Sequence, residues 1–155
     1  MKSILLVLFF FYNILMFSQT ESQNNKYDFD KKCGDGNQQS INICLSNAIT
    51  KLSEVMDKKY NYIVAYLNTQ IKSYTGDKEI QAAYIKMKAN LVTSQATWRK
   101  LKDQNAEFYS GGGGTETPML IGQSIIKDYK DRLIWLDNLI EEEGQGNETK
   151  ILKSE

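Results

Sequence analysis

Between residues 40 and 143 the apolar side chains recur every three or four positions, and no stretch alternates with the period of a strand. In the first run Ile41, Leu45, Ala48, Ile49, Leu52, Val55, Met56, Ile63, Leu67, Ile71 and Tyr74 fall on one stripe. That spacing matches an amphipathic helix of about 3.6 residues per turn. Ser40 is a suitable N-cap for it and Gly76 a suitable stop. Asp77 can cap a second helix, with Ile80, Tyr84, Met87, Leu91, Trp98, Leu101 and Phe108 on its stripe. A third helix starts at Thr117 or Pro118, where proline suits the first turn, and faces inward with Met119, Ile126, Leu133, Leu136 and Ile140. Gly144 and Gly146 close it. Three long helices with short connections and no strand pattern predict an all-α fold, an antiparallel three-helix bundle forming one domain over residues 40–143.

The flanks break the pattern. Residues 1–19, MKSILLVLFFFYNILMFSQ, carry Lys2 ahead of an apolar run over 4–17 and end in Ser18 and Gln19. This is the layout of a secretory signal peptide, cut so that the mature chain begins near Thr20. The competing reading is a membrane anchor, but the run is shorter than the roughly 20 apolar residues that span a bilayer. No cysteine follows it to take a lipid. Residues 20–39 are polar and aperiodic, which predicts a short irregular or mobile segment, and residues 144–155 read as a flexible tail.

Composition narrows the chemistry. The 155-residue chain holds 19 basic and 19 acidic residues, which gives no electrostatic footprint for nucleic acid. It has no histidine, so Ser-His-Asp and Cys-His catalysis and histidine metal ligation are excluded. No nucleophile sits beside a recognisable base and no cofactor motif is present, so the sequence reads as a non-enzymatic protein without cofactor or metal. Cys33 and Cys44 form an even pair in an exported chain, for which a disulfide is the expectation and a metal site the alternative. The short loop it closes implies a gain of about 2 to 3 kcal/mol.

Residues 108–118, FYSGGGGTETP, hold four consecutive glycines and the one proline. The run lacks the Gly-Lys-Ser/Thr ending of a phosphate loop and no strand precedes it. A helical hairpin needs only a few residues to turn, and the stretch over 110–117 is longer than that. The excess predicts a projecting loop whose Gly111, Gly112, Gly113, Gly114 and Glu116 contact a partner; a flexible connection without contact is the alternative. Glu141, Glu142 and Glu143 read as a solvated helix end, Tyr60, Tyr62 and Tyr66 as the rim of the core. Asn147-Glu148-Thr149 fits a glycosylation sequon of significance only in a eukaryote.

A family pattern emerges on the second helix. SQATWRKLKDQNA, residues 94–106, resembles the signature of the lysozyme inhibitor LprI-like family of small exported bacterial proteins. Gln95, Ala96, Trp98 and Asp103 match; Leu101 replaces an aromatic residue, Lys102 an arginine and Ala106 a cysteine. Gly113, Gly114 and Thr115 resemble the loop that follows, Ser124 stands where the family has its next cysteine, and Arg132 with Leu136 resembles the end of the pattern. Cys33 and Cys44 resemble the N-terminal cysteine pair, and Asp57 with Asn61 resembles an Asp-x-x-Leu-Asn element. The resemblance thus implies that one whole bridge, between positions 106 and 124, is missing here. It also implies a periplasmic or secreted, helical, non-enzymatic protein that binds lysozyme and protects the cell wall, with no stable membrane insertion of the mature chain. An accessory envelope module that binds another protein or a wall component is the alternative. If position 106 faces 124, Trp98 faces Arg132 with Gln95 within a turn. Arg132 then stacks on Trp98 or bonds Gln95; otherwise Trp98 is plain core and Arg132 reaches solvent.

Overall fold

The structure is a computed structural model that describes residues 26–143. The signal reading over 1–19, the start at Thr20, the helix stop at Gly144 and Gly146, the tail over 144–155 and the sequon at Asn147 lie outside the described residues, as do the side chains of Glu142 and Glu143. The described residues form three helices and no strand: α1 (Gln38–Ser73), α2 (Lys78–Ser110) and α3 (Thr117–Glu143). None is long and apolar enough to cross a membrane.

The helix ends follow local chemistry. Asn37, not Ser40, caps α1: its extended backbone lets the side chain accept from the Ser40 amide at 3.0 Å, so the helix starts earlier than the sequence suggests. Ser40 serves the same cap by donating its hydroxyl to Asn37 Oδ1 at 2.7 Å. Asp77 caps α2 by accepting from the Ile80 amide at 3.1 Å. Residues 111–116 join α2 to α3, which makes the connection shorter than the expected span over 110–117.

Packing centres on α1 and α3. Leu52, Met56, Leu133 and Leu136 are fully buried, with Leu45, Ile63, Leu67, Ile126 and Tyr129 around them. Gly122 lets the two helices approach closely, since a Cβ there would sit 3.2 Å from Leu45 Cδ1 and crowd it. Along α2 only Leu91, Gln95 and Ala106 are buried. The predicted α2 stripe is therefore corrected: Leu101 is 52% and Phe108 81% exposed, and Ile80 and Met87 are exposed as well. The inward face runs through Leu91, Gln95, Trp98, Lys102 and Ala106, and at about 100° per residue Leu101 and Phe108 point roughly 100° or more away from it.

Contacts order the helices. Gln95 meets Arg132, Trp98 meets Tyr129 and Asn105 meets Asp128, so positions fall along α3 as they rise along α2. Asp57 with Arg99 and Ile71 with Gln81 do the same between α1 and α2. Leu45 with Gly122 and Lys59 with Asp137 rise together. That is the order a bundle with antiparallel sequence neighbours produces.

Residues 26–37 form turns packed against the bundle, with Tyr27 and Cys33 in the core. The expected disulfide joins Cys33 to Cys44, with Cα atoms 5.3 Å apart, and ties this segment to the first turns of α1.

Candidate functional site

Three of the motif residues, Asp57 on α1 and Trp98 and Asp103 on α2, meet in one shallow groove. About 220 Å³ in volume, it is lined by Ser53, Met56, Asp57, Trp98, Arg99, Lys102, Asp103 and Tyr129. Arg99 Nη2 donates to Asp57 Oδ1 at 2.9 Å, both half exposed, and Lys102 bonds the exposed Asp103 beside it. The groove floor is aromatic: Trp98 meets Tyr129 edge-on at 5.3 Å between ring centres, and the Lys102 ammonium lies 5.6 Å from the Tyr129 ring. Asp57, Trp98 and Asp103 are thus brought together. Asn61 is exposed one turn further along α1.

Behind Trp98 stands Arg132. Its Nε donates to Gln95 Oε1 and its Nη2 to Ser94 Oγ, each at 3.0 Å. The guanidinium lies 3.9 Å from the Trp135 ring centre and 5.9 Å from that of Trp98. The expected bond to Gln95 is present, and the closer stack is on Trp135, a residue the sequence pattern did not mark. Burial pushes the Arg132 pKa below its usual value, yet guanidinium remains protonated at any ordinary pH. Gln95 is 3% exposed, and its Nε2 has no hydrogen-bond partner among the described residues. Trp135 also borders an apolar groove of about 260 Å³ with Ile63, Leu67, Leu91 and Leu139.

A second polar cluster was not marked by sequence. Asp137, buried on α3, accepts from Lys59 at one oxygen and from the Tyr27 hydroxyl and Lys26 at the other, the last at 3.0 Å. Burial alone would raise the Asp137 pKa, but the bonds from Lys59, Tyr27 and Lys26 outweigh it and hold the carboxyl below its ordinary range. Burial, reinforced by the Asp137 charge, pushes the Tyr27 hydroxyl up. Two turns back, Lys130 reaches Asp28 and Asp30, each at 2.7 Å. A signal for this cluster existed: Lys59 fills the gap between Met56 and Ile63 where the helical period demands a core residue, and a lysine there needs a buried partner.

The glycine loop lies apart from both clusters. All of residues 111–116 are exposed, and Gly113 and Gly114 adopt φ of 62° and 104°, the left-handed region that glycine enters without strain. A Cβ built at Gly111, Gly113 or Gly114 meets no atom within 4 Å. Along α2 the loop begins about 12 Å beyond Asp103, so Gly111, Gly112, Gly113, Gly114 and Glu116 do not share the groove of Asp57, Trp98 and Asp103.

A family model described as "Lysozyme inhibitor LprI" matches residues 30–136. The chain belongs to the LprI lysozyme inhibitor family. No curated protein and no solved structure matches it. The LprI match spans the disulfide, the groove, Arg132 and the glycine loop, whereas Tyr27 and Asp137 lie just outside the matched residues. The departures of this LprI chain from the family signature have local consequences. Ala106 is buried and Ser124 half buried, and the helices are tied nearby by Asn105, whose amide donates to Asp128 at 3.1 Å.

Proposed function

We propose that this protein is an exported, non-enzymatic inhibitor that binds lysozyme and so protects the cell wall. The family match over residues 30–136 carries the reading, since it spans every candidate residue from Cys33 to Arg132. A disulfide between Cys33 and Cys44 suits an oxidising compartment, periplasmic or extracellular. In this reading inhibition is steric: Gly111 to Gly114 and Glu116 approach the substrate cleft, the glycines because bare backbone fits closely, the glutamate because it meets cationic residues. The motif groove and the Arg132 lock hold α2 against its neighbours and aim the loop.

The test uses the mature chain from Thr20, mixed with lysozyme and followed by size-exclusion chromatography and by lysis of cell walls. A complex and slowed lysis are expected. A variant with residues 111–114 cut to two glycines should keep its helical signal and inhibit at least about tenfold less. Unslowed lysis by the parent sinks the inhibitor reading in favour of an accessory envelope module; equal inhibition by the shortened chain moves the contact off the loop.

A further inference from the structure

The end of the bundle that carries the glycine loop also carries the most exposed large apolar side chain of the described residues. Phe108 is 81% exposed on the last turn of α2, with its ring edge-on to Tyr109 at 5.4 Å. Tyr109 and, across the loop on α3, Leu120 are each 39% exposed. Single exposed hydrophobic residues are ordinary. An aromatic pair on a helix end beside an exposed loop is a different matter, because each ring offers a large area on only two side-chain torsions and so loses little freedom when a partner covers it.

Charge points to the partner. From Asp103 to Ile126 the chain holds Asp103, Glu107 and Glu116 and not one lysine or arginine, although 19 basic residues are spread over the rest. Glu107 and Glu116 are exposed on either side of the loop, and neither joins an ion pair among the described residues. The last cation before this stretch, Lys102, has a side chain only 13% exposed and is held by Asp103 and the Tyr129 ring. The loop and the two helix ends that flank it are therefore aromatic and acidic within a chain that is neutral as a whole.

From this we infer that Phe108 is the anchor of the inhibitory contact, entering an apolar part of a cleft in a cationic protein while Glu107 and Glu116 pair with basic residues at its rim. Tyr109 supports the Phe108 ring, and the glycines keep the neighbouring backbone from blocking its approach. The inference rests on the inhibitor reading and goes beyond it by placing the binding strength on Phe108 and the steering on the two glutamates.

The test titrates the mature chain against a cationic c-type lysozyme by calorimetry, with association rates at two salt concentrations. Phe108→Ala should weaken binding at least about tenfold with helical signal and thermal midpoint unchanged, since the side chain is 81% exposed. The double variant Glu107→Gln/Glu116→Gln should associate more slowly at low salt and lose much of its salt dependence. Ile85→Ala, which trims a 51% exposed residue elsewhere on α2, should bind as the parent does. If the parent binds and Phe108→Ala binds within about twofold of it, the anchor is wrong and the inhibitor reading stands. A parent that does not bind lysozyme at all removes both.

Discussion

Asp137 keeps a negative charge in the core because Lys59, Tyr27 and Lys26 all donate to it. Taking a carboxylate and an ammonium out of water costs several kcal/mol each, and their mutual bonds offset that cost only while every member is present. Truncating one leaves the other charged and unpaired. Asp137→Ala should therefore destabilise the fold by about 3 to 5 kcal/mol in urea unfolding, whereas Lys59→Met with Asp137→Leu should fall within about 2 kcal/mol of the parent. A loss below about 1 kcal/mol in the single variant would mean that water reaches the pair. Half of this cluster was legible: Lys59 occupies a core position of the α1 period. Its partner was not, because 78 residues separate Lys59 from Asp137 and no local pattern links them.

The three helices were legible because their stripes are long, and the residues that cap or start them are strong local signals. The face of α2 was harder to read. From Trp98 the helical period continues equally well to Leu101 or to Lys102, and hydropathy favours leucine; the bundle turns Lys102 inward instead, over the Tyr129 ring, and leaves Leu101 in water. Gln95, Lys102 and Asn105 give this helix a partly polar inner face, and Gln95 and Asn105 hydrogen-bond to α3. The family signature located Gln95 and Arg132 as a pair where hydropathy had no means to, and Trp135 escaped both because it lies on neither the motif nor the apolar stripe. The same signature places positions 106 and 124 opposite each other, next to the bond between Asn105 and Asp128. Ala106→Cys with Ser124→Cys should then oxidise to a second bridge without disturbing the first, adding about 3 kcal/mol by the chain-entropy estimate and raising the thermal midpoint by several degrees. Two thiols that stay free in the oxidised double variant would show that α2 and α3 are out of this register.

At the scale of the whole molecule, the segment before α1 is a strap held at three points: Tyr27 and Lys26 on Asp137, Asp28 and Asp30 on Lys130, and Cys33 on Cys44. The cysteine pair pointed to the third of these points; the polar, aperiodic residues around it held no hint of the other two, because Tyr27 and Asp137 stand 110 positions apart and Asp28 and Lys130 stand 102 apart. The groups that hold the strap set the pH range of the fold. Asp137 has its pKa lowered, so its contribution is complete above the ordinary aspartate value of about 4 and is lost as pH falls through the lower folded value. Tyr27 is raised by burial and by Asp137. Lys130 is raised because its bonds to Asp28 and Asp30 outweigh its burial, so both contributions are complete below about pH 10 and are lost as pH rises past it. The chain has no histidine to titrate in between. Unfolding free energy measured by urea should accordingly be flat from about pH 5 to 9, fall below about 4 and fall again above about 10. Asp137→Asn should be less stable on the plateau and show a shallower acid limb, while its alkaline limb, still governed by Lys130, should persist. A steep change in stability between pH 5 and 8 would contradict this account, since Asp137 is shifted down and Tyr27 and Lys130 are shifted up, all away from that range.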